Sequence, residues 1–199
     1  MAAIHVPEAR RVMRSRERKQ AIGLLGVRLF ILSESMFFFG LFMAWFYLRV
    51  TSGGAWPPPG AQPPPFALAA LNTGIALASA GAVVLGERAI ARDQRRRLLL
   101  WSTVAAVLGV IFLSVQAVEF TELAQLARQS AYGSLFTFLL LFHALRVFAG
   151  VALLAVVAVR AWLGHFSARR RLMVQGTALY WYFITGIWLV VFAALYLIG

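Results

Sequence analysis

The sequence predicts an all-α integral membrane bundle of five transmembrane helices, with the N-terminus cytoplasmic and the C-terminus outside. Three observations predict it. The 199 residues are 61% hydrophobic with a mean hydropathy of +0.79, whereas a soluble domain is about 45–50% apolar. Five stretches, about 21–49, 66–86, 98–121, 131–160 and 173–198, each reach the roughly 20 residues needed to cross hydrocarbon. The basic residues gather in alternate connections between them. Backbone groups in lipid need internal partners and no barrel-like alternation is present, so the spans are helices.

The elements follow in order. Residues 1–20 form a basic tail with Arg10, Arg11, Arg14, Arg16, Arg18 and Lys19, and 21–199 form the transmembrane domain. The second connection carries Arg88, Arg92, Arg95, Arg96 and Arg97, and the fourth Arg160, Arg169, Arg170 and Arg171. The opposite side holds only Arg49 and Arg128. The positive-inside rule then gives the orientation. The net charge of +12 is a topology signal with some attraction to anionic lipid. No basic folded surface remains for nucleic acid. The first outer connection, Trp56-Pro57-Pro58-Pro59 with Pro63-Pro64-Pro65, reads as a stiff spacer, or as a docking strip for a neighbouring subunit.

The spans carry few polar groups. Glu34 stands in the first span, roughly 20 Å from its inner end at 1.5 Å per residue. A charge at that depth costs roughly 2.5–3.5 kcal/mol on insertion scales. His143 enters the fourth span to a similar depth, and Arg146 follows it by three residues, on the same helical face. Depth alone groups Glu34, His143 and Arg146 as a candidate buried polar cluster. It reads as an ion pair locking helix packing, a proton relay or a lipid cleft. Arg28, near the inner end of the first span, snorkels to the headgroups. Asn72 and Glu119 read as interfacial, Glu119 reaching water near the outer end of its span. Trp45, Trp56, Trp162, Trp181 and Trp188 lie mostly near span ends and suggest an aromatic belt.

Much chemistry is excluded. The chain contains no cysteine, so disulfides, thiolate metal sites and cysteine nucleophiles are impossible. One deep histidine and one deep acid do not complete a metal site, and bis-histidine haem ligation needs a second intramembrane histidine. No nucleophile with its base, phosphate loop or dinucleotide fingerprint is present. No catalytic residue and no metal ligand are expected.

Several short segments, in order, carry a resemblance. The first span reads Ser33-Glu34-Ser35-Met36-Phe37-Phe38, similar to a Ser-Glu-x-x-Phe-Phe signature. Leu71-Asn72-Thr73, Gln116-Ala117-Val118-Glu119-Phe120, Tyr132-Gly133-Ser134, Phe142-His143-Ala144-Leu145 and Tyr180-Trp181 with Trp188 follow. Together they resemble subunit III of the haem–copper oxidases, in a five-helix bacterial form. The resemblance implies a non-catalytic subunit of a cytochrome c oxidase-type complex in the bacterial cytoplasmic membrane. It implies packing on subunit I, and contact with subunit II. Haem and copper then belong to partner subunits and none to this chain, with phospholipid held in a cleft. It further implies support of proton uptake and of the durability of subunit I. The chain departs from the family pattern at Tyr182 and Thr185, where the family commonly has a histidine and an aspartate, and at Arg146, where a second histidine is frequent. Alternatives are a subunit of a quinol oxidase or nitric oxide reductase complex, or a small free-standing transporter. The transporter predicts broken helices and more intramembrane acids, and no proline lies within a span.

Overall fold

The computed structural model describes residues 6–53, 56–57 and 66–198. Five long helices follow one another: α1 Val6–Thr51, α2 Phe66–Ala91, α3 Arg95–Gln129, α4 Ala131–Trp162 and α5 Leu172–Phe192, with α5 running on into a π-helical turn, Ala193–Leu197. All five contain a stretch long and apolar enough to cross a membrane. Among the described residues the rest is turns and one isolated bridge between Ser167 and Arg170. The chain is a multi-pass membrane protein. The expected spans fall on the five helices, but α2 and α3 run five and eight residues beyond the expected ends, and helix α1 begins at Val6, so the described part of the basic tail is helical and continuous with the first span. Of the proline strip, Pro58–Pro59 and Pro63–Pro65 lie outside the described residues.

The helices stop for local reasons. Ser130 adopts extended backbone between α3 and α4, and its hydroxyl accepts a hydrogen bond from the Gly133 N–H at 3.1 Å, an N-cap that restarts the chain as a helix. Asp93 turns the α2–α3 connection with φ +56°, a conformation that asparagine and aspartate tolerate better than most residues. Its carboxylate accepts from the Ala168 N–H at 2.5 Å, tying this turn to the α4–α5 connection. Gly164 ends α4 at φ +77°, where a Cβ would be strained.

Helices α2, α3 and α4 pack side by side, α5 lies against α2 and α4, and α1 lies outside on α5 and α4. With no hydrophobic drive between helices in lipid, close approach and buried hydrogen bonds carry the packing. Trp181 of α5 illustrates both. Its ring wedges against Gly109 of α3 and Gly150 of α4, where added Cβ atoms would come within 2.8 Å of it. Its indole N–H donates to the Ser79 hydroxyl of α2 at 3.0 Å. Two turns on, Trp188 donates to Thr73 of the same helix, also at 3.0 Å. The expected aromatic belt is therefore corrected for three tryptophans: Trp45, Trp181 and Trp188 are at most 2% exposed. Trp162 stays on the surface. Proximity to a span end fixes depth, but which way a ring turns depends on the neighbouring helix.

Candidate functional site: a charged pair between α1 and α4

Glu34 and Arg146 meet. The Arg146 Nε–H donates to Glu34 Oε2 and forms an ion pair. The Arg146 Nη1–H donates to the Phe142 carbonyl one turn earlier, at 3.1 Å. The guanidinium lies over the rings of Phe37 and Phe38, at 4.9 and 4.8 Å from their centroids. From α5, the Tyr180 hydroxyl donates to the Arg146 carbonyl at 3.3 Å. The Arg146 side chain is 13% exposed and that of Glu34 22%, so the pair sits half-sheltered at a helix seam rather than in the bundle interior. Removing a carboxylate from water is costly unless it is paired, and an arginine stacked on aromatic faces supplies such a partner. Glu34 needs Arg146, and the contact joins the outlying α1 to the bundle.

His143 does not join them. Three residues on a helix leave side chains about 60° apart, enough here to separate the two neighbours. His143 turns inward, 1% exposed, with its ring 5.7 Å from Phe112 and 5.2 Å from Trp188. The three-residue cluster expected from depth is corrected to a pair at the α1 seam and a histidine in the core. Thr185 lines a very small cavity with His143, Ser79 and Trp188.

The expected interfacial residues also divide. Arg28 is on the surface. Asn72 and Glu119 are fully buried, which corrects their assignment, and Glu119 is more buried than Glu34. Asn72 donates weakly to the Phe112 carbonyl across α2 and α3, at 3.4 Å. Gln116, one turn before Glu119, is equally buried, and its amide oxygen and nitrogen have no partner among the described residues. Tyr182 has an unforeseen partner: its hydroxyl donates to Glu87 Oε2 of α2 at 2.8 Å. The sequence held a signal for the tryptophan bonds that charge-based reading passes over. Trp181 and Trp188 share one face two turns apart, opposite hydroxyl residues six apart on α2. Among the described residues no three histidines or acids gather in a way that could hold a metal ion.

Comparison with known proteins bears on this arrangement as a whole. Residues 15–199 match the sequence profile of the family described as cytochrome c oxidase subunit III. The chain belongs to the cytochrome c oxidase subunit III family. It is similar to proteins named cytochrome c oxidase subunit 3 from Neurospora crassa, with 33% identity over 180 residues, 88% of this chain and 67% of that one. It is likewise similar to those from Scyliorhinus canicula, at 34% over 176 residues, and Gallus gallus, at 35% over 176 residues, each covering 86% of this chain and 67% of the relative. The segments that carry the subunit III resemblance fall on two structural places: Ser33–Phe38 forms the α1 side of the ion pair, and Asn72, Gln116, His143 and Trp188 face the interior.

Proposed function

We propose that this chain is a non-catalytic integral subunit of a respiratory terminal oxidase of the cytochrome c oxidase type. It packs on subunit I, next to subunit II, and stabilises the subunit that holds haem and copper. Oxygen reduction takes place there, and this chain supports the accompanying proton uptake while carrying no redox centre itself. It lies in the bacterial cytoplasmic membrane with its N-terminus on the cytoplasmic side, in contact with phospholipid. The observation that carries this reading is the family match over residues 15–199, which spans all five helices. The structure supports it physically. Many large apolar side chains face outward, among them Met36, Leu145 and Phe148, each at least 60% exposed. A bundle with such a surface needs lipid or other transmembrane helices as neighbours.

Mild-detergent purification on an affinity tag carried by this chain tests the proposal. The expected product contains larger membrane subunits and shows the optical bands of haem, with copper by elemental analysis and oxygen consumption driven by reduced cytochrome c. A chain that purifies alone, stable and colourless, would overturn it. Oxygen consumption with a quinol but not with cytochrome c would replace it with the quinol oxidase reading.

A further inference from the structure

At the end of the bundle where α2 turns into α3, a cleft of about 380 Å³ opens between the two helices. Arg88 from the last turn of α2, Arg92 from the turn that follows and Arg97 from the first turn of α3 line it, above Leu85, Leu100 and Trp101. We propose that this cleft binds an anionic phospholipid, its phosphate held by the three arginines and an acyl chain lying along Leu85 and Leu100.

Four observations lead there. Arg88, Arg92 and Arg97 are all exposed, and none makes an ion pair with a described residue. The two acids closest in sequence are engaged elsewhere. Glu87 accepts from Tyr182 of α5, and Asp93 accepts from the Ala168 backbone. The Arg97 Nη1–H donates to the neutral Gln94 side chain at 3.1 Å, which orients the guanidinium without cancelling its charge. Finally, the arginines stand over an apolar surface that continues along the spans, where Leu85 and Leu100 are 40% and 56% exposed. A free inorganic anion would use the charge alone, and an acidic protein segment would have no use for outward-facing leucines at membrane depth. Charge at the rim with hydrocarbon below is the chemistry of a lipid with an anionic headgroup. Arginine suits phosphate because its fork of N–H donors matches the phosphate oxygens.

This inference rests on the chain being a multi-pass membrane protein and not on its place in an oxidase, so either can fail without the other. The test is native mass spectrometry of the full-length chain in the assembly in which it extracts, stripped of lipid and titrated with phosphatidylglycerol or phosphatidylcholine. Wild-type protein should prefer phosphatidylglycerol. The double variant Arg92→Gln/Arg97→Gln should lose about tenfold in phosphatidylglycerol affinity, since each cation near the headgroups contributes appreciably. Arg96→Gln/Arg170→Gln carries the same charge change outside the cleft and should lose less than twofold. Equal losses in both double variants would overturn the proposal in favour of diffuse attraction, and equal affinity for the two lipids would do so too. Displacement by inorganic phosphate beyond that by chloride of equal ionic strength would reassign the cleft to a free anion. Labelling of the wild type with a photoreactive phosphatidylglycerol needs no variant and should fall on the peptides holding Leu85 or Leu100. Labelling confined to other helices, or cross-linking of Arg92 to an acidic segment of a neighbouring subunit, would refute the site.

Discussion

Helix α1 and the four helices behind it are equally apolar in kind but are held in different ways. Only 11% of the apolar window of α1 is buried, against 44% in α5. Helices α2 to α5 are joined by close approach and hydrogen bonds: tryptophan against glycine, indole N–H against hydroxyl, and the Tyr182 hydroxyl against the Glu87 carboxylate. Helix α1 is joined by one ion pair and the rings stacked around it, by packing on α5 where Phe30 meets Tyr180 at 6.1 Å, and by an aromatic cluster at its C-terminal end, where Trp45 packs on Tyr132 and Trp56 at 5.1 and 5.0 Å. The difference teaches that a buried charge need not mark a reaction centre. In lipid, where apolar contact alone gives little preference for one helix over another, a charged pair is a specific way to seat a helix that has little else to hold it. His143 in the interior, by contrast, sits between the rings of Phe112 and Trp188.

That contrast can be broken most severely at Trp181. Trp181→Ala should destabilise the bundle by about 3–5 kcal/mol, the range for emptying a large aromatic site. Unfolding of the detergent-solubilised protein followed by circular dichroism would read it as a global loss. A loss confined to α1 would contradict the separation drawn here. Next in size, Arg146→Met leaves the Glu34 carboxylate without its cation and should cost about 3 kcal/mol. Hydrogen exchange should show this as faster opening of α1 while α3 and α4 remain protected. The double variant Arg146→Met/Glu34→Gln should regain most of the loss, because removing both partners leaves no unpaired charge. If the double variant opens as fast as the single one, the pair is not what seats α1. Smallest is Trp188→Phe, which keeps most of the ring but removes the bond to Thr73. It should cost about 1 kcal/mol, with Thr73→Val costing a similar amount and the two effects failing to add.

How much of this was legible in the sequence depends on what each residue's position encodes. Spans follow from composition and length, and all five were legible, the far ends of α2 and α3 less so. The pairing of Glu34 with Arg146 was legible from depth, because two costly charges at one level in lipid tend to find each other. Depth, however, says nothing about rotation about a helix axis. His143 shares the depth of Arg146 but turns to Phe112 and Trp188, and Glu119 and Asn72 lie near span ends yet point inward. The charge pattern of the α2–α3 turn was legible too. The diversion of Glu87 to Tyr182 and of Asp93 to Ala168 was not, since those partners lie 95 and 75 residues away.

The continuity of α1 through the basic segment also bears on how the start of the chain is presented. A helix rises 1.5 Å per residue, so the 15 residues from Val6 to Gln20 carry the backbone roughly 22 Å from the beginning of the apolar span. A loose leash would absorb changes in length. A continuous helical backbone transmits them. One residue inserted near Ala21 would turn the backbone before it by about 100° and displace it by about 1.5 Å, so the register of this segment is tied to that of the span.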